Sequence, residues 1–151
     1  VGGGLTGRSI IAAVTRLTDL YQALPIAGAR VRTGNQTGCG GIADARIDIE
    51  AAQAYEFVDA TPPHPADQEL ADFCVTHVRD GVELELAELF GALPPVRVTL
   101  HQILAHQVDS NESVNRRAGR SAVQQALRAS GLGHTLPSPE AGYRVIPPRP
   151  S

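Results

Sequence analysis

Apolar positions recur along the first part of the chain with two different periods. Ile10, Ile11, Val14, Leu17, Tyr21 and Leu24 fall at helical spacing, which predicts an amphipathic helix over 9–24 that Pro25 ends. Ala29 to Thr33 reads as a short strand. It leads into Gly34-Asn35-Gln36-Thr37-Gly38-Cys39-Gly40-Gly41, a composition that suits only a loop. Beyond it Ala43, Ala45, Ile47 and Ile49 alternate with Asp44, Arg46, Asp48 and Glu50, the pattern of a strand with one buried and one wet face. Tyr55 to Val58 is a second strand candidate here, closed by Pro62-Pro63-His64-Pro65.

The second half starts with helical spacing. Leu70, Phe73, Cys74, His77 and Val78 mark a helix with Gly81 as a weak point, and Leu84 to Phe90 either continue it or start another. Val96, Val98 and Leu100 return to period two, so 94–104 is expected to be a strand sharing a sheet with 42–50. Asp109 with Glu112 forms a capping-box pattern that opens a helix through Ser130, stopped by Gly131. Its inner face, Val114, Ala118, Ala122 and Ala126, is small enough to sit close on a sheet. Tyr143 to Ile146 is a last strand before Pro147-Pro148-Arg149-Pro150. The expected class is α+β, in the order β-β-α-β-α-β with helices on one face of a sheet. The expected division is a lead-in helix at 1–28, a domain at 29–146 and a disordered tail at 147–151.

Composition narrows the function classes. At 151 residues the chain fits one domain, able to bury roughly two-thirds of its unfolded surface. No run approaches the ~18 apolar residues that span a bilayer, and Ile10 to Val14 is too short for a signal-peptide core. A cytoplasmic protein without a membrane partner is expected, and a monomer. Cys39 and Cys74 lack CxxC spacing and nearby ligands, so free thiols are expected. All thirteen basic residues are arginine, yet the net charge is −3, which weighs against a general nucleic-acid binder. Any RNA contact must then be local.

The stretch Leu100-His101-Gln102-Ile103-Leu104-Ala105-His106-Gln107-Val108-Asp109-Ser110-Asn111-Glu112 resembles a motif in domain IV of the ribosomal translocase, elongation factor G. That motif runs L-H-x-x-x-x-H-x-V-D-S-S-E and aligns without a gap. Val96 and Val98 match the strand before it; Ala118-Gly119 and Ala122 match the small-residue helix after it. Thr37-Gly38-Cys39-Gly40-Gly41 followed by Ile47-Asp48-Ile49-Glu50 is similar to the family's T-G-G-S-G loop and I-x-I-E strand. Tyr55-Glu56-Phe57-Val58-Asp59 is similar to its Y-E-F-V segment. The blocks fall in family order across residues 30–130. The resemblance implies a fold like domain 2 of ribosomal protein S5, no GTPase centre in this chain, and contacts with the ribosome or structured RNA through tip loops. Two departures lie at that tip. Gln102-Ile103-Leu104 stand where the family turns on glycine, and the first loop is shorter.

The candidate contact residues follow. The resemblance places His106 at the tip, where an imidazole stacks on a base or donates to phosphate; an ordinary exposed histidine at a strand end is the plain alternative. His101 would face it across a hairpin, and with no carboxylate or cysteine fixed beside the pair a metal site is not expected. Gly38, Gly40 and Gly41 would let a nucleic-acid backbone approach unshielded amides, or serve only as a flexible loop. Arg116, Arg117 and Arg120 cluster on the last helix and resemble an RNA-facing patch, against the default of a solvated helix face. Gly2 to Ser9 falls one substitution short of the phosphate-binding G-x-x-x-x-G-K-S, but the preceding strand is missing and Arg8 replaces the lysine. No nucleotide cofactor is expected.

Two readings result. The first is a noncatalytic domain IV-like module that binds the ribosome or structured RNA, with a separate GTPase protein as the partner that would drive it. The second is a winged-helix DNA-binding regulator over 82–148, with a helix from Thr99 through Ala105, a recognition helix carrying Arg116, Arg117 and Arg120, and a wing ending in Gly142 to Val145. Val96 to Leu100 discriminates them: alternating β-branched residues favour the strand that the first reading needs.

Overall fold

The computed structural model describes residues 16–34, 41–107, 110–133 and 143–146. Residues 16–23 are helical (α1). Then follow β1 (Ile26–Gly34), β2 (Ile42–Ala51), β3 (Glu56–Asp59), α2 (Gln68–Phe90), β4 (Val96–Ile103), α3 (Glu112–Ala129) and β5 (Tyr143–Ile146). The class is α+β. The strands form one sheet in the order β3-β4-β2-β1-β5, antiparallel except where β3 runs parallel to β4. The expected order counted four strands where the sheet has five; the strand candidate at Tyr55 to Val58 is present as Glu56–Asp59, placed at the edge because α2 carries the chain back to lay β4 parallel to it.

Period two decides which face of the sheet is buried. Val31, Ala43, Ala45, Ile47, Ile49, Val96, Val98 and Leu100 form one core with Val78, Val82, Leu86, Ala118, Ala122 and Ala126 from the helices. The two long helices therefore cover the same face, as the sequence predicts. α3 lies directly on β1 and β2, and α2 packs on α3. Leu20 of α1 joins this core, and Arg16 Nη1 donates to the Leu89 carbonyl at 3.0 Å. Residues 9–15 of the predicted first helix lie outside the described residues. β1 begins at Ile26, ahead of the predicted Ala29, so the expected boundary at 28 falls inside it.

The helix pair corrects two expectations. Gly81 is not a weak point; α2 is unbroken from its Asp67 cap, whose side chain accepts from the Leu70 N–H at 3.0 Å, to Gly91 in the left-handed region. Gly81 is where the helices touch. A Cβ added there would sit 1.9 Å from the Arg116 carbonyl oxygen, and one on Gly119 would sit 2.0 Å from that of Val78. Only hydrogen at both positions lets the two backbones meet. α3 is capped by Asn111, whose Oδ1 accepts from the Val114 N–H at 2.9 Å, rather than by Asp109, which lies outside the described residues. Glu112 is thus the first helical residue and cannot complete a capping box.

β4 runs through Ile103, with Thr99 paired to Asp48 and Gln102 to Arg46. The expected strand at 94–104 is present as Val96–Ile103 and pairs with β2. The helix over 99–105 that a winged helix requires is replaced by this strand, which removes the DNA-binding reading.

Candidate functional site

Antiparallel pairing brings the start of β2 and the ends of β1 and β4 to one end of the sheet. Gly34 and Gly41 close the neck of the β1–β2 connection there. Gly34 has φ 93°, and a Cβ on it would lie 1.9 Å from the Gly41 carbonyl oxygen, so the neck tolerates no side chain at that position. Gly41 is buried with φ 79°. Gly38 and Gly40 lie outside the described residues. The hydroxyl of Thr33 donates to the Val114 carbonyl at 3.1 Å and ties this neck to the start of α3.

His106 sits at the same end, exposed, just past β4. Its N–H donates to Ser110 Oγ and its carbonyl accepts from the Ser110 N–H, both at 2.8 Å, so the loop backbone is held in a closed turn. The Ser110 hydroxyl also reaches the Leu104 carbonyl at 3.3 Å. Cys74 lies free and buried below this loop, its Sγ 3.8 Å from the same carbonyl, and burial pushes its thiol pKa up. Cys39 lies outside the described residues.

His101 is not part of the tip, and there is no hairpin between the two histidines. Gln102 and Ile103 are extended strand, the conformation that their side chains favour and that a glycine turn would have prevented. His101 is instead the extra residue of a bulge: Ile47 pairs with Leu100, and Arg46 with Gln102. Its Nε2 lies 2.7 Å from Asp48 Oδ2. The other flanking strand is irregular at the same level, where Ala27 and Gly28 oppose Asp48 alone. Gly28 takes φ 72° and its N–H donates to Asp48 Oδ1 at 2.7 Å. Asp48 thus joins two bulges through its two oxygens.

The predicted arginine patch on α3 is corrected by its partners. Arg116 pairs with Glu112 one turn earlier. Arg120 Nε donates to Glu85 Oε1 at 3.1 Å, and its Nη2 meets Glu88. Glu85 is buried and also accepts from Gln124 Nε2 at 3.1 Å. Arg116 is thus held within α3 while Arg120 links α3 to α2, with the charge answered on site. Arg117 carries a buried Nε without a partner among the described residues.

A different cluster was missed. On the sheet face away from the helices, Asp44 of β2 is buried, with side-chain exposure of 1 %. It takes Arg30 Nε at 3.1 Å and Nη2 at 2.7 Å, and Arg32 Nη2 at 3.2 Å. That bidentate contact raises the Arg30 pKa further. Arg46 is the register partner of Arg30, is exposed, and has no ion pair among the described residues. At the other end of this face the balance reverses, with Arg97 held by Glu50 at 2.9 Å and by Glu56 at 3.2 Å. The signal was available: Arg30 and Arg32 stand two apart on a predicted strand, and Arg46 on the wet face of the next. What the sequence lacked was the register that stacks them.

Among the described residues no group of three or more His, Cys, Asp or Glu side chains could hold a metal ion. Among them, too, no helix is long and apolar enough to cross a membrane. No protein-family model matches this chain, and no curated protein matches it. Among solved structures it is similar to a protein from Thermus thermophilus, at 18% identity and a TM-score of 0.49, over 62% of this chain and 14% of that one. The chain therefore spans a small part of that protein's length, and overlap at this level decides neither fold family nor function.

Proposed function

We propose that this chain is a noncatalytic module like domain IV of elongation factor G, with the fold of ribosomal protein S5 domain 2, and that it binds the ribosome or structured RNA through its tip. One observation carries the reading. The glycine neck of the β1–β2 connection and the loop bearing His106 stand together at one end of the sheet, the two elements that the resemblance requires there. The chemistry suits the role: an exposed imidazole contacts phosphate or a base without a strongly basic body. Arg116 and Arg120 drop out of the interface because their glutamate partners already satisfy them. His101 drops out as a tip residue and becomes a strut. A separate GTPase protein remains the proposed source of any energy input.

The test is co-sedimentation with ribosomes. The wild type pellets at low salt, and His106→Ala pellets less with an unchanged melting temperature, because an exposed loop side chain supports little core. Equal pelleting of the two proteins would sink this reading.

A further inference from the structure

The open sheet face extends the interface beyond the tip. Arg30, Arg32 and Arg46 occupy adjacent positions on β1 and β2, directly below the glycine neck, and the carboxylate between them, Asp44, pairs with Arg30 and Arg32. Neighbouring strands lie about 4.8 Å apart, so these guanidiniums crowd one another. In a chain of net charge −3, this is where positive charge exceeds negative on the sheet. Arg144 of β5 is the register partner of Arg32 and adds a fourth arginine position to the same row.

The cluster is built rather than incidental. Asp44 fixes Arg30 with two hydrogen bonds and Arg32 with one, so both forks are oriented before any ligand arrives. Arg32 nonetheless keeps 43% of its side chain exposed. Arg46 stands exposed next to them. Three arginines against one aspartate leave an excess that an anion with several acceptor oxygens would answer. At the far end Glu50 and Glu56 hold Arg97 and would repel the same anion, so the face is polarised toward the tip.

We infer that the tip-proximal half of the open sheet face, Arg30, Arg32 and Arg46 about Asp44, is a phosphodiester-binding platform that grips an RNA backbone running on from the tip. The inference takes its partner class from the proposed function but rests on different residues. Arg46 is the principal phosphate contact, because among the described residues it has no internal partner to give up. Arg32 adds a second through the exposed part of its guanidinium, and Arg30 with Asp44 serves to position Arg32.

The experiment uses the full chain and a fluorescently labelled RNA hairpin, followed by anisotropy across salt concentrations. Arg46→Glu should weaken binding about tenfold at low salt and flatten the dependence of log affinity on log salt by about one. Arg32→Ala should do the same to a smaller degree. Arg116→Glu, an equal charge change on the helix layer, should bind like the wild type. Hairpin binding that persists when ribosomes fail to pellet the chain would uphold the platform and discard the tip reading. The platform is overturned if the wild type does not bind the hairpin, if Arg46→Glu binds like the wild type, or if polyglutamate competes as well as RNA, which would point to an acidic protein surface instead.

Discussion

On the helix layer, Arg116 and Arg120 each meet a glutamate from their own or the neighbouring helix; on the open sheet face, two arginines meet one aspartate and a third, Arg46, stands beside them with no carboxylate among the described residues. The two clusters look alike as lists of residues and differ in partner count. Where each guanidinium has its own carboxylate, the charge holds elements of this chain together. Where arginines outnumber carboxylates, charge is left for something outside. The helix layer also differs in how its backbone is used. Gly81 and Gly119 remove side chains so that two helices touch, whereas Gly28 uses its freedom at φ 72° to aim an N–H at a carboxylate.

Each side of that comparison can be broken separately. The largest effect is expected at the helix crossing. Gly119→Ala places a methyl 2.0 Å from a carbonyl oxygen that cannot swing aside, so the helices must separate, costing about 3 kcal/mol in urea unfolding. Adding Gly81→Ala should cost much less than a second such increment, since the helices are already apart. Next comes Glu85→Ala, which strands the Nε of Arg120 and the amide of Gln124 and should cost about 1–3 kcal/mol by the same measurement. Asp48→Ala removes the acceptor shared by Gly28 and His101; with both side chains partly exposed, the expected loss is about 1 kcal/mol. On the open face, Arg46→Ala should change stability by no more than about 0.5 kcal/mol, since no internal partner is lost. A large loss there would mean that Arg46 serves the fold, and the contrast between the two clusters would fail.

The smallest effect concerns acid. Arg116 holds the Glu112 carboxyl below its ordinary value. A lowered folded pKa contributes stability above the unfolded value of 4.5 and loses it as pH falls through the folded one. Glu112→Gln should therefore lower the melting temperature slightly at neutrality, with the difference from the wild type vanishing once pH has fallen well below that value.

Much of the fold was legible because period two in β2 and β4 and the small stripe on α3 are local signals. The cap of α3 was misplaced because Asp109 and Asn111 are both competent caps, and only the end of the preceding strand decides between them. Gly81 read as a defect because its reason lies on another helix, at Arg116. The site was less legible for the same cause. Arg116 and Arg120 clustered visibly along one helix, but Glu85 and Glu88, which answer Arg120, come from a helix far off in sequence. Arg30, Arg32 and Arg46 are scattered over two strands and gather only through register. His101 matched a motif by spacing, yet the bulge that turns it toward Asp48 leaves no trace in a single sequence.

The position of β5 has a consequence for how the chain is made. It pairs with β1, so the outermost strand on that side comes from after α3, much later in the sequence than its partner. During synthesis from the N-terminus, β1 and β2 emerge early and can zip together at once. The outer flank of β1 must then wait, hydrogen-bonding groups bare, until the chain through Ile146 has left the tunnel. Domains grow at about 5–20 residues per second, so that wait lasts for seconds, and a bare strand is a template for any neighbouring chain. Along that flank the nascent strand carries Arg30 and Arg32, whose like charges would hold two such copies apart until the last strand arrives.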